Sequence, residues 1–93
     1  MIQSEKYVVK LEQGESINVK SLNAGDTGNT YSIHTIIFLG DYADSTDIDL
    51  NGTSIRLPGA FVYNQTAVNT IDVTSSPHGI LLIGSKTKRQ LFN

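Results

Sequence analysis

The sequence predicts an all-β domain, an antiparallel β-sandwich or jelly-roll-like fold of about eight short strands. Three observations predict it. The first is Asp47-Ile48-Asp49-Leu50-Asn51-Gly52-Thr53-Ser54-Ile55-Arg56-Leu57, an Asn-Gly dipeptide flanked on both sides by alternating apolar and polar residues. A type I′ turn needs positive φ at both central positions, which Asn followed by Gly supplies at little steric cost. The second is the recurrence of turn signals at intervals of about 8–12 residues, the spacing of sandwiches and small barrels. The third is composition: Thr, Ile and Val together outnumber Ala and Leu, and no stretch places apolar residues at helical spacing.

The elements follow in order. Residues 6–11 alternate, with Tyr7, Val9 and Leu11 on one side. Residues 12–15 read as a turn, and 16–20 alternate again through Ile17 and Val19. The Gly- and Asn-rich stretch 23–30 reads as a loop. Residues 31–39 form a strand that is apolar on both sides near its end, with Ile36 and Phe38 on one side and Ile37 and Leu39 on the other. Such a strand is covered on both faces, or by the core on one face and a partner on the other. After a loop at 40–45 comes the Asn-Gly hairpin, in which Leu50 faces Thr53, Ile48 faces Ile55 and Asp47 faces Arg56. Its apolar side is Ile48, Leu50, Ile55 and Leu57, and its polar side Asp47, Asp49, Ser54 and Arg56. Pro58-Gly59 ends the second arm. Residues 60–63 and 69–74 are two further strands, with room for a single helical turn at 65–68. A turn at 75–78 leads to Ile80-Leu81-Leu82-Ile83 between Gly79 and Gly84, again apolar on both sides.

The 93 residues make one domain, 1–93, large enough for a modest core and too small for an elaborate buried active site. With 17% charged residues and a net charge of −2, the chain lacks the basic excess from which nucleic-acid binders draw affinity, so no nucleic-acid partner is expected. There is no cysteine, hence no disulfide or thiolate-metal site. No segment approaches the roughly 20 apolar residues needed to span a bilayer, and no membrane partner is expected. The first six residues lack a basic and then apolar leader, which predicts synthesis in a cytoplasm.

Chemistry-bearing motifs are few. Asp47-x-Asp49-x-Asn51-Gly52 matches the first half of an EF-hand loop, but Pro58 stands where the bidentate Glu belongs and no helices flank it. The reading is an acidic rim with Arg56 paired across the strands; Asp41 and Asp44 would be the ligands if a cation bound. His34 and His78 lack the paired spacing of a metal site, and are expected to be partly buried and exposed respectively. Ser75-Ser76-Pro77-His78 has no nucleophile elbow around it, and Asp26-Thr27-Gly28 lacks the apolar setting of an aspartic protease. Asn51-Gly52-Thr53 and Asn64-Gln65-Thr66 are formal glycosylation sequons without a secretory context. Neither an enzymatic function nor a cofactor, metal or catalytic site is expected. Tyr7, Tyr31 and Tyr63 are expected in the core, leaving Tyr42 as the exposed aromatic for a carbohydrate.

The end of the chain is the most suggestive stretch. Residues 85–93 are basic at Lys86, Lys88 and Arg89 and close on Leu91-Phe92-Asn93. They are read as an assembly arm, because exposed apolar termini are uncommon unless something covers them. Leu91 and Phe92 would dock in an apolar groove of a neighbouring copy, with Lys88 or Arg89 near its acidic rim at 41–49, opposite in sign; Lys86, Lys88, Arg89, Leu91, Phe92, Asp41 and Asp44 are the candidate interface residues.

Ile55-Arg56-Leu57-Pro58-Gly59-Ala60-Phe61, Ile71-Asp72-Val73-Thr74 and Gly79-Ile80-Leu81-Leu82-Ile83-Gly84-Ser85-Lys86 resemble the small β modules of tailed bacteriophage virions. The resemblance spans the C-terminal half and is one of composition and strand style, so no binding residue is carried over. It implies a structural, homo-oligomeric virion component (capsid decoration, neck or fibre module), found in the virion and made in a host cytoplasm, with itself and other virion proteins as partners. The alternative is a small carbohydrate- or ligand-binding module using Tyr42 and the loop carboxylates.

Overall fold

The computed structural model describes residues 4–26 and 28–88. Eight strands run β1 (Ser4–Leu11), β2 (Ser16–Asn18), β3 (Asn29–Phe38), β4 (Ser45–Leu50), β5 (Thr53–Pro58), β6 (Phe61–Tyr63), β7 (Thr70–Ser75) and β8 (Ile80–Lys88), with one helix, α1 (Val19–Gly25), between β2 and β3. They form two four-stranded sheets, ordered β1-β8-β3-β6 and β2-β7-β4-β5. The first strand pairs with the eighth, the second with the seventh, the third with the sixth and the fourth with the fifth, all antiparallel. Pairing of β8 with β3 and of β7 with β4 then closes this long ladder on itself. That wiring is a jelly roll, the all-β fold expected from the sequence.

The core lies between the sheets. Leu11, Ile33, Ile36, Phe38, Ile80 and Leu82 come from the first sheet and Ile48, Leu50, Ile71 and Val73 from the second, with Val19 and Val68 contributed by the connections. The Asn-Gly hairpin has the expected register, Leu50 opposite Thr53, Ile48 opposite Ile55 and Asp47 opposite Arg56. Asn51 has φ 52° and Gly52 φ 89°, as a type I′ turn demands.

Asn51 also clamps the connection that enters β7. Its Oδ1 accepts from the N–H groups of Asn69 (2.7 Å) and Thr70 (3.1 Å), and its Nδ2 donates to the Ala67 carbonyl (2.9 Å). A polar connection beside the core is thereby given partners for backbone groups that would otherwise rely on water.

Three segments differ in secondary structure from the sequence reading. Residues 19–25 are a short helix rather than the end of a strand and the start of a loop: the Asn18 side chain accepts from Ser21 N–H at 3.0 Å, an N-cap. Residues 65–68, in contrast, form no helical turn. Finally, residues 85–88 belong to β8, paired with β1 on one side and β3 on the other, so this part of the expected arm is sheet interior.

β3 carries a bulge whose extra residue is His34, because Ile33 lies opposite Gly84 and Thr35 opposite Ile83. The bulge switches the inward set from Tyr31 and Ile33 to Ile36 and Phe38, all buried. It also leaves His34 exposed rather than partly buried, bonded through Nδ1 to Thr35 Oγ1 at 2.7 Å. Gly84 is the partner this bulge requires. A Cβ there would overlap the Ser32 carbonyl oxygen and lie 2.6 Å from its carbon and 2.8 Å from Ile33 Cα.

Candidate functional site

The outer faces of the two sheets differ in kind. On β2-β7-β4-β5 the outward positions are Ser16, Asp72, Asp49 and Ser54 in one cross-strand row, with Asp47 beside Arg56. Arg56 donates to both Asp47 oxygens at 2.7 and 3.1 Å, and this pair holds the Asp47 carboxyl below its ordinary range. This face is polar and acidic.

On β1-β8-β3-β6 the outward rows are Lys10–Leu81–Ile37–Val62 and Val8–Ile83–Thr35. Val8 and Val62 are 51% and 53% exposed, and Ile37, Leu81 and Ile83 are half-buried. Five aliphatic side chains therefore form one band across the four strands, most exposed at Val8 and Val62. Beyond it the same face turns polar in two further rows, Lys6–Ser85–Ser32 and Ser4–Thr87–Thr30. The hydroxyls of Ser32 and Ser85 bond across strands at 2.8 Å, and those of Thr87 and Ser4 at 3.2 Å.

The charged positions singled out in the sequence lie at opposite ends of this sheet. Lys86 sits opposite Tyr31 and Lys88 opposite Asn29, where β3 begins. Asp41 and Asp44 follow the end of β3. From Tyr31 to Phe38, at about 3.4 Å per residue, the separation is roughly 24 Å. Lys86 and Lys88 line a depression of about 280 Å³ with Ser4, Glu5 and Asn29. Arg89, Leu91 and Phe92 lie outside the described residues.

At the far end, Asp44 is committed within the chain. Its Oδ2 meets His78 Nε2 and accepts from Asp41 N–H, both at 3.1 Å, and its carbonyl accepts from Gly59 N–H at 2.6 Å. Tyr42, in the same turn, is 81% exposed. Tyr7 and Tyr31 pack edge to face at 5.0 Å, and Tyr7 and Tyr63 rest against the core.

Near the basic end a second knot fixes the connection from α1 to β3. Asp26 accepts from the Tyr31 hydroxyl at 2.5 Å, Asn29 Nδ2 at 2.9 Å and Gly28 N–H at 3.0 Å. These bonds, the tyrosine's foremost, lower the Asp26 pKa from 3.8 to about 2, and the same bond raises Tyr31 from 10.0 to about 12.

His78 meets a carboxylate, but the buried Ser76 hydroxyl is directed at Thr46 Oγ1 (3.1 Å) and accepts from Gly79 N–H (2.9 Å). Among the described residues no group of three or more His, Asp or Glu is placed to share a metal ion. In comparisons with known proteins, no family model, no curated protein and no solved structure matches this chain.

The sequence reading flagged the ends of the sheet and missed Val8 and Val62. Their signal was present: Tyr7-Val8-Val9 and Phe61-Val62-Tyr63 are consecutive apolar triplets, which a strand with one wet face does not need.

Proposed function

We propose that this chain is a structural module that assembles with copies of itself, in the manner of a virion component of the head-decoration, neck or fibre type. The observation that supports the reading is the aliphatic band of Val8, Ile37, Val62, Leu81 and Ile83 on the outer face of one sheet, set against the acidic outer face of the other. A contiguous apolar patch on a small domain marks a surface that another body covers. The basic and acidic ends, too far apart to meet within a chain, suit separate end-to-end contacts between copies. Other virion proteins are the further partners this reading entails.

A second reading has one observation in its favour, the 81% exposure of Tyr42 beside Asp41, which suits a sugar-binding loop. Light scattering on the size-exclusion peak of the full chain tests the first reading, with Val8→Thr/Val62→Thr as comparison. Assembly predicts a species heavier than one chain that the double variant lightens. A monomer at every concentration, together with a melting temperature raised by a sugar or by calcium, would transfer the assignment to the binding module.

A further inference from the structure

The geometry points to the mode of this self-association: two copies pack face to face through the outer surface of the β1-β8-β3-β6 sheet, about a two-fold axis running along the strands. The inference rests on the assembly reading and adds the occupant of the band, a second copy, and its orientation.

Area supports a second copy as occupant. Three strands of about eight residues and the three residues of β6, each residue taking about 4.8 Å by 3.4 Å, give a face on the order of 440 Å². A pair then buries roughly 900 Å² in projection, at the low end of specific interfaces and enough for a weak dimer.

The orientation follows from what lies on the face. Its outward charges on the strands are Lys6 and Lys10, both on β1. A two-fold axis across the strands that overlaps the whole face would lay β1 over β1 and turn the aliphatic half of one copy onto the hydroxyl half of the other, with Lys6 over Val8. An axis along the strands lays β1 of one copy over β6 of the other. β6 (Phe61-Val62-Tyr63) bears no charge, and Asp41 lies beside its entry, its backbone against Gly59. The same axis keeps each row at its own level, so the aliphatic half meets the aliphatic half and the hydroxyl half meets the hydroxyl half. Lys10 of one copy then comes over Val62 of the other, because the two end the same cross-strand row.

The chain has no cysteine, so single cysteines report geometry cleanly. Lys10→Cys and Val62→Cys are both outward substitutions on outer strands of the sheet. Within one chain the two positions are separated by three strand spacings, about 14 Å, beyond the reach of a short bismaleimide. Each variant is treated with that reagent alone and then as an equimolar mixture, after sedimentation has established the dimer.

The expected result is covalent dimer in the mixture at several times the yield of either variant alone. Self-crosslinking of Lys10→Cys alone would show β1 over β1 and overturn the orientation. A dimer that crosslinks in no combination would place the interface elsewhere, overturning the inference while the assembly reading stands. A monomer at all concentrations would remove both. A monomer that dimerises once residues 89–93 are deleted would give the face to the chain's own tail and overturn the inference.

Discussion

Replacing Asn51 by Gly isolates the side-chain clamp at the hairpin tip. Gly tolerates the left-handed backbone there, φ 52°, so the turn keeps its geometry. What is lost is the pair of bonds from Asn69 and Thr70 N–H to Oδ1 and the bond from Nδ2 to the Ala67 carbonyl. These groups lie near water and can be rehydrated, so each bond counts near the low end of its range, about 0.5–1 kcal/mol. The freer unfolded chain of the Gly variant adds about 0.5 kcal/mol. The sum is about 2–3.5 kcal/mol, which at a slope of about 1 kcal/mol per molar urea moves the midpoint down by about 2–3.5 M. Urea unfolding followed by circular dichroism measures it, and amide exchange at Asn69 and Thr70 should accelerate alongside. Asn51→Asp sharpens the reasoning: the acceptor survives, but a carboxylate then faces the Ala67 carbonyl. Its deficit relative to the native chain should shrink below the carboxyl pKa, where a protonated oxygen can donate to that carbonyl. A Gly variant within about 0.5 kcal/mol of the native chain, or an Asp variant whose deficit ignores pH, would refute the clamp.

Gly84→Ala should be among the most damaging single methyl additions in the protein, about 3 kcal/mol or more, because the atoms it strikes are the backbone of Ser32 and Ile33; a melting temperature unchanged from the native chain would contradict the bulge geometry. The Asp26 knot makes stability depend on acid: its contribution is complete above the ordinary carboxyl pKa of 3.8 and is lost as pH falls through about 2. The matching phenol bond holds below pH 10 and fails as pH rises through about 12, so Asp26→Asn should bring Tyr31 ionisation, read by ultraviolet absorbance, back toward its ordinary value. Arg56→Ala removes an exposed ion pair and should shift the urea midpoint far less than Asn51→Gly does. A chain ended at Gly84 should unfold more easily than one ended at Lys88, since residues 85–88 pair with both β1 and β3.

What the sequence disclosed was local. The hairpin register followed from Asn51-Gly52 alone, because a two-residue turn leaves no freedom in which residues face each other. α1 was hidden because seven residues hold too little periodicity to show; its trace was the Asn18 cap, three positions before Ser21. The bulge left a mark in the shift of phase from Tyr31 and Ile33 to Ile36 and Phe38, which reads as two apolar faces unless one residue is counted as extra. Gly84 looked like the end of a strand and is its interior, fixed by a partner fifty residues away that no local pattern names. One global property was legible in retrospect. The strands with consecutive apolar residues, holding Tyr7-Val8-Val9, Ile36-Ile37-Phe38, Phe61-Val62-Tyr63 and Ile80-Leu81-Leu82-Ile83, all belong to one sheet, whereas β2, β4, β5 and β7 alternate strictly through their paired cores. The chain sorts its strands by whether their second face is polar or apolar, and that sorting marks the candidate surface. The ends of the sheet were singled out by charge, but their separation depended on β8 lying between β1 and β3.

The pairing of β1 with β8 also decides how the domain bears load. Ser4 lies opposite Thr87 at one end of that ladder, and Leu11 opposite Ile80 at the other. Tension applied at residues 4 and 88 would part the two strands like a zipper, breaking their bonds in succession, so the peak force is set by a rung or two. Tension applied between residue 4 and the Asp41–Asp44 turn instead runs along β1, β8 and β3 and loads many rungs at once in shear. The same fold is thus soft when drawn by its two neighbouring strand ends and stiff along its length, and an assembly that transmits force through it would resist far more along the strands than at that corner.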